Sequence, residues 1–288
     1  LGQVMVADLF RDETGQPLNE RVLFINRRGH TIISRPGNVS RWDYVHYAEV
    51  IASRYPKNSK ALMLGLGGGT LASALVEHLG FTVDAVELDS RIANVASEFF
   101  SLHPSVRVIV DDARHFIETT NNKYDFIFFD VFTSDAQPPH VLSRECYEKA
   151  ATLLQPNGMI AINFFGFIDG DAGFAARSVY KTLTAAGFYV KILPTPGTEA
   201  YRNILFIASA KPQDIEELNS LKVTADTIPN ENSGFIHLNQ RNLHDANVYT
   251  DDKSNLESAV LEAGYAWRKG YNEYYTKFFT KSGIPLFR

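Results

Sequence analysis

A glycine run and the acidic residues that close the neighbouring apolar runs have the types and spacing to do chemistry. Gly65, Gly67, Gly68 and Gly69 follow Ala61-Leu62-Met63-Leu64 and lead into Thr70. Glu87 ends the next strand-like run, Val83-Asp84-Ala85-Val86, and Asp89 lies two residues beyond it. Asp111 and Asp112 close Val106 to Val110, and Asp130 closes Phe126-Ile127-Phe128-Phe129, with Thr133, Ser134 and Asp135 beyond it. Glycine allows positive φ and lets a ligand approach the backbone closely. A carboxylate at the end of the following strand suits the two hydroxyls of a ribose. The pattern therefore predicts a nucleoside-containing ligand. The turn lacks the lysine of a phosphate-binding loop, and Thr70 stands where the dinucleotide pattern has its third glycine. Asp112, after the third strand, suits the amino group of an adenine, which favours an S-adenosyl ligand. A carboxylate directly behind an apolar strand is costly without a partner, so Asp130 is read as functional. Asp89 is expected to cap the helix after it, and one of Asp111 and Asp112 to cap the helix at 113.

The elements that must position these residues follow from periodicity. Residues 1–35 read as short strands separated by Asp-Glu-Thr-Gly and Arg-Arg-Gly turns, a small antiparallel sheet. A helix is expected from Trp42 to Arg54, ending before Pro56. Strands are then expected at 61–65, 82–87, 106–110, 124–130, 158–163, 188–194 and 203–209. Helices are expected near 70–79, 90–100, 113–120, 142–154 and 171–186, with Gly158 and Gly187 as helix stops. Alternating helices and two-sided apolar strands predict a Rossmann-like, doubly wound α/β sheet. Further helices are expected at 212–221 and 254–281, the latter packing its aromatic stripe (Tyr271, Tyr274, Tyr275, Phe278, Phe279) on the core. The expected division is an N-terminal β-domain at 1–40, a nucleoside-binding catalytic domain at 41–211 and a C-terminal extension at 212–288.

Composition narrows the partners. With 28 basic against 33 acidic residues and no basic block, no nucleic-acid partner is expected. No apolar stretch is long enough to span a membrane. Cys146 is the single cysteine, which rules out an intrachain disulfide and fits a reducing, cytoplasmic compartment. The histidines share no ligand spacing on a helix face, so no metal is expected. His46 is expected at an exposed helix position near Tyr44. The chain starts at Leu1 rather than Met, which leaves open whether it is part of a longer chain.

The stretch from Tyr44 to Phe164, with its glycine turn, Glu87, Asp112 and Asp130, resembles the polyamine aminopropyltransferases, the spermidine synthases and their relatives. The segment Tyr124-Asp125-Phe126-Ile127-Phe128-Phe129-Asp130-Val131-Phe132-Thr133-Ser134-Asp135, continuing to Glu145, is most similar to the branch fused to membrane transporter-like domains. Tyr249-Thr250-Asp251-Asp252 is similar to a segment of the same branch. The resemblance implies a small N-terminal β-domain on a seven-stranded sheet of the class I methyltransferase type, commonly in a homodimer. It also implies decarboxylated S-adenosylmethionine as co-substrate and a small amine as acceptor. Gly65 and Gly67 would face the methionine-derived part of that co-substrate, Glu87 the ribose, and Asp112 the adenine, with Ala113 where the family usually has glycine. Asp130 opens the catalytic loop and Asp135 matches its second aspartate, the base being one of the two. Tyr44 matches a tyrosine that orients the amine.

The departures lie on the amine side. Gly68, within the cofactor turn, stands where the family usually carries the aspartate that anchors the diamine. Gly2 aligns with a family glutamine, and Thr195-Pro196-Gly197 lacks the tyrosine found before the corresponding segment. Ordinary putrescine is therefore not the expected acceptor. Asp251 or Asp252 could replace the lost anion, although capping of the helix before 254 is the preferred role. Two alternatives stay open, an S-adenosylmethionine-dependent methyltransferase and a non-catalytic nucleoside-binding module.

Overall fold

The computed structural model describes residues 2–12, 14–26, 28–132, 137–199, 202–212, 235–238 and 242–253, together with Leu256, Tyr265, Lys269 and Thr276. The expected C-terminal helices and their aromatic stripe fall largely outside these residues.

Residues 4–40 form an antiparallel sheet in the order β1 (Val4–Arg11), β2 (Pro17–Ile25), β3 (Arg28–Ser34) and β4 (Val39–Ser40). The first hairpin is closed by Asp12, whose Oδ1 accepts from the amides of Thr14 and Gln16. This side-chain-to-backbone bonding is what makes aspartate a turn former.

The chain then alternates. Helix α1 (Asp43–Ala52) precedes β5 (Lys60–Leu64), α2 (Thr70–Glu77), β6 (Thr82–Glu87), α3 (Ser90–Phe99), β7 (Arg107–Val110), α4 (Ala113–Thr119) and β8 (Tyr124–Phe129). After β8 come α5 (Arg144–Thr152), β9 (Leu154–Phe165), α6 (Phe174–Ala185), β10 (Tyr189–Pro194) and β11 (Asn203–Ser209). A short 3-10 turn at Asp171–Gly173 stands where helix α6 was expected to begin, and another at Pro139–Val141 precedes the expected start of α5 at 142. Gly187 follows α6 at φ +90°, as a helix stop should. Gly158 is not a helix stop: it lies inside β9, which starts directly after α5 and is longer than expected.

The seven strands order as β10-β11-β9-β8-β5-β6-β7. Strands β5 to β9 pair in parallel, and β11 runs antiparallel to both β9 and β10. Alternate residues of the central strands feed two cores. Leu62, Leu64, Ile127, Phe129, Ile160 and Ile162 pack with α4, α5 and α6. Ala61, Met63, Phe126, Phe128, Met159 and Ala161 pack with α1, α2 and α3. Burial on both faces explains why these strands read as continuous apolar runs. The small sheet docks on α3 through Leu23, Ile33, Ile92 and Phe100. This architecture is the Rossmann-like, methyltransferase-type sheet with a small antiparallel N-terminal sheet.

The order also fixes where a ligand can bind. The chain leaves β5 towards β6 and β7, then returns to place β8 on the other side of β5. Loops at the carboxyl ends of β5 and β8 therefore diverge and leave a crevice between them.

Candidate active site

At that crevice the glycine turn and Asp130 touch. The Asp130 amide donates to the Leu64 carbonyl at 2.8 Å, and the Gly65 amide to the Val86 carbonyl at 2.8 Å. Gly65 has φ +89°, and a Cβ there would stand 2.3 Å from the Asp130 carbonyl oxygen. Only glycine fits this crossing of backbones.

A cavity of about 390 Å³ opens over the turn. Its floor includes Gly65, Gly67, Glu87, Asp112, Ala113 and Asp130, and Tyr44 lines it from α1. The small sheet covers it with Arg28, His30 and Thr31 of β3. The expected site residues thus share one cavity, with Gly68 and Asp135 as the exceptions. Asp135 lies outside the described residues. Gly68 does not line the cavity. Its amide donates to Thr31 Oγ1 at 2.8 Å, and a Cβ would meet Thr31 Cγ2 at 2.7 Å and the Phe100 ring at 3.0 Å. The space that a side chain at this position would need is filled by the docked small sheet and the end of α3.

Glu87 is held at the end of β6 by two amides. Its Oε2 accepts from Leu66 at 3.1 Å and its Oε1 from Asp89 at 3.0 Å. Burial pushes its carboxyl above the usual range, against the pull of these amides. Asp89 caps α3, accepting from the Arg91 amide at 2.9 Å, and pairs with the Arg91 guanidinium at 2.6 Å. Of the two aspartates after β7, Asp112 is the cap: its Oδ1 accepts from the His115 amide at 3.0 Å. Its Oδ2 lies 3.5 Å from His140 Nε2 at the cavity rim. Asp111 Oδ1 accepts from the Asp112 amide at 2.8 Å.

Asp130 is the most perturbed acid of the cavity. Tyr44 donates to its Oδ2 at 3.0 Å and Asn163 Nδ2 to its Oδ1 at 2.7 Å. Burial raises its pKa to about 6, opposed by the Asn163 and Tyr44 bonds and aided by the nearby Glu87 charge. Two donors on a desolvated carboxylate hold it as an acceptor close to neutrality, the condition a general base requires.

Sequence reasoning missed Asn163, Gln137 and Asn203. Asn163 is 2% exposed near the end of β9, and its Oδ1 accepts from Asn203 Nδ2 at 2.9 Å. Gln137 Nε2 donates to the Asn163 carbonyl at 2.5 Å. The available signal was a single amide in the run Ile160-Ala161-Ile162-Asn163-Phe164, since a buried amide must find partners. His46 is buried, not exposed, with its Nε2 2.9 Å from the Ser40 carbonyl. It does not line the cavity. Asp251 is no substitute anion in the cavity. It pairs with Arg114 at 2.8 Å and accepts from Ser143 at 2.5 Å, fastening the segment after Tyr249 to α4 and the start of α5. Among the described residues, no group of three or more histidine, cysteine or acidic side chains could hold a metal, and no helix is long and apolar enough to cross a membrane.

Residues 45–165 match the Spermine/spermidine synthase domain family. An N-terminal histidine N-methyltransferase of Emericella nidulans is 34% identical over 147 residues, covering 49% of this chain and 25% of that protein. A polyamine aminopropyltransferase of Vibrio vulnificus is 36% identical over 116 residues, covering 38% of this chain and 39% of that protein. The chain therefore spans between a quarter and two-fifths of the length of these curated relatives. A probable spermidine synthase from Corynebacterium glutamicum superposes with a TM-score of 0.68 at 19% identity, covering 88% of this chain and 94% of that one. This likeness shows the fold.

Proposed function

We propose that the chain alkylates an amine nitrogen from an S-adenosyl sulfonium donor, and that the group moved is the aminopropyl group of decarboxylated S-adenosylmethionine. The observation that carries this reading is Asp130, poised near neutrality between Tyr44 and Asn163 in the same cavity as Glu87. The match of residues 45–165 to the Spermine/spermidine synthase domain supports it.

The residues fit such a donor. Glu87 already has its carboxylate oriented by two amides, so it presents fixed acceptors to a ribose diol. Asp112 has Oδ1 committed to its helix, and its Oδ2, 3.5 Å from His140 Nε2, is the oxygen that would take an adenine amino group. Gly65 and Gly67 leave bare backbone beside the reacting carbon. A bound S-adenosyl sulfonium supplies an electrophilic carbon and a neutral thioether leaving group. Asp130 takes one proton from the incoming ammonium. The freed nitrogen lone pair then forms the new N–C bond as the C–S electron pair returns to sulfur. Tyr44 and Asn163 orient the carboxylate for that transfer, so the protein contributes mainly position and one proton acceptor. Asp135 belongs to the same proposed loop as a second candidate base. The acceptor is an amine other than ordinary putrescine, because no carboxylate stands at Gly68.

The environment of Gly68 favours a second reading, methyl transfer from intact S-adenosylmethionine. The place of a diamine anchor is occupied by Thr31 and Phe100. One titration separates the two. Calorimetry with S-adenosylmethionine, its decarboxylated form and methylthioadenosine should favour the decarboxylated donor. Preference for the carboxylated donor would overturn aminopropyl transfer and support methyl transfer. Failure of all three to bind would overturn the nucleoside site.

A further inference from the structure

Gln137 lines the cavity and is 4% exposed. Its side-chain nitrogen is committed, because Nε2 donates to the Asn163 carbonyl at 2.5 Å. Exchanging the two ends of the amide would set an oxygen against that carbonyl, so the orientation is fixed. The other end, Oε1, is buried and has no hydrogen-bond partner among the described residues. A buried acceptor without a donor is destabilising, and such groups are rare in folded proteins. The Asp130 network gives this one a context. Asn163 holds both the acid and the amide of the corner: its side chain donates to Asp130 Oδ1 at 2.7 Å, and its carbonyl accepts from Gln137 Nε2. One residue therefore sets the positions of a carboxylate and an unused amide oxygen, on two residues that line one cavity.

We propose that Gln137 Oε1 is the second acceptor for the attacking nitrogen, so that Asp130 and Gln137 together select an amine with at least two N–H bonds when protonated, primary or secondary, over a tertiary one. This rests on the amine-alkylation reading above. A primary ammonium carries three N–H bonds, enough to engage both acceptors at once. A tertiary ammonium carries one and must leave Gln137 unpaired, and an alcohol lacks the charge that Asp130 attracts. The neutral amide also supplies recognition that does not depend on a carboxylate at Gly68.

The test uses the whole chain saturated with methylthioadenosine, titrated calorimetrically with n-butylamine, N,N-dimethylbutylamine and butan-1-ol at pH 8. The wild-type protein should bind n-butylamine roughly tenfold more tightly than the dimethyl compound. Gln137→Met, similar in length but without the acceptor, should bring the two amines to within about twofold, with methylthioadenosine affinity retained. A purely structural Gln137 would weaken both amines together and leave their ratio intact, which would overturn the proposal. An unchanged ratio set by the bulk of the methyl groups would do the same. Should Gln137→Met not fold, the wild-type chain is titrated with N-methylbutylamine, which keeps two N–H bonds when protonated. It should bind within about twofold of n-butylamine, and affinity as weak as that of the dimethyl compound would overturn the assignment. If methylthioadenosine itself does not bind the wild-type chain, the nucleoside reading fails and this proposal falls with it. If it binds and no amine does, only this proposal fails.

Discussion

The Tyr44 hydroxyl donates to Asp130 Oδ2 at 3.0 Å, joining α1 to the end of β8 across the cavity. Tyr44 is not free to choose this partner. Its ring lies parallel to Phe128 with centroids 6.4 Å apart, and Phe128 is fully buried two residues before the acid. The strand that carries Asp130 thus also carries the platform that aims its donor. Asn163 supplies the second donor from β9, the neighbouring parallel strand. Burial favours the neutral acid, the two donors favour the carboxylate, and the balance leaves Asp130 at about 6.

That balance predicts both rate and stability. Turnover should rise with pH through about 6 as Asp130 ionises. Asp130→Asn should lower kcat roughly a hundredfold or more and leave methylthioadenosine affinity nearly unchanged. A large loss of nucleoside affinity would mean that Asp130 serves the donor or the fold instead. For stability the sign is opposite to the usual aspartate. The folded pKa of about 6 lies above the ordinary 3.8, so the folded state binds the proton more tightly. Stability should therefore fall as pH rises from about 4 to about 6, by about 2–3 kcal/mol from this group. Urea midpoints between pH 3.5 and 7.5 should show that slope in the wild type, and a shallower one in Asp130→Asn.

Tyr44→Phe should keep the ring on Phe128 and remove the donor. The lost hydrogen bond was one that lowers the Asp130 pKa. The rising limb of the rate profile should then move to higher pH, by about half to one unit. A limb that stays in place while kcat falls would assign Tyr44 to the amine alone.

Much of this site was legible because parallel strands place their carboxyl ends on one edge. Glu87, Asp112 and Asp130 each directly follow an apolar run or lie one residue beyond it, so their convergence needed only the strand pattern. Asn163 was not legible in the same way. Its isolation among apolar neighbours announced a buried amide, but the partner, Asp130, is 33 positions away and is set by β8 pairing with β9. Gly68 was misplaced for the converse reason. Local spacing put it in the ligand turn, and what removes it is Thr31, brought over from β3 by the docking of the small sheet on α3. Contacts between the sheets carry no periodic signal. The clamp of Asp251 on Arg114 was equally hidden, since it joins segments 137 positions apart.

Glu87→Gln should separate the nucleoside side of the cavity from the amine side. The wild-type carboxylate receives two amides at 3.1 and 3.0 Å and presents its remaining lone pairs to the cavity. The amide can satisfy one of those backbone donors and must turn an N–H towards the other. Affinity for methylthioadenosine should fall roughly tenfold to a hundredfold, the range of a lost hydrogen bond to a charged group. Wild-type affinity in this variant, measured by calorimetry, would take the ribose away from Glu87.

Gly68 gives a prediction in which fold and specificity meet. A Cβ at this position would stand 2.7 Å from Thr31 Cγ2 and 3.0 Å from the Phe100 ring. Gly68→Ala should therefore destabilise the chain by about 1–3 kcal/mol through overpacking, read as a lower urea midpoint. Thr31→Ser added to it should recover part of the loss, because serine removes the methyl group and keeps the Oγ that accepts from the Gly68 amide at 2.8 Å. Gly68→Asp should destabilise further and confer no putrescine binding, since its carboxylate would meet the docked sheet before it met a ligand. Measurable putrescine binding in a folded Gly68→Asp chain would show that the small sheet yields there, and that the missing carboxylate alone sets the acceptor.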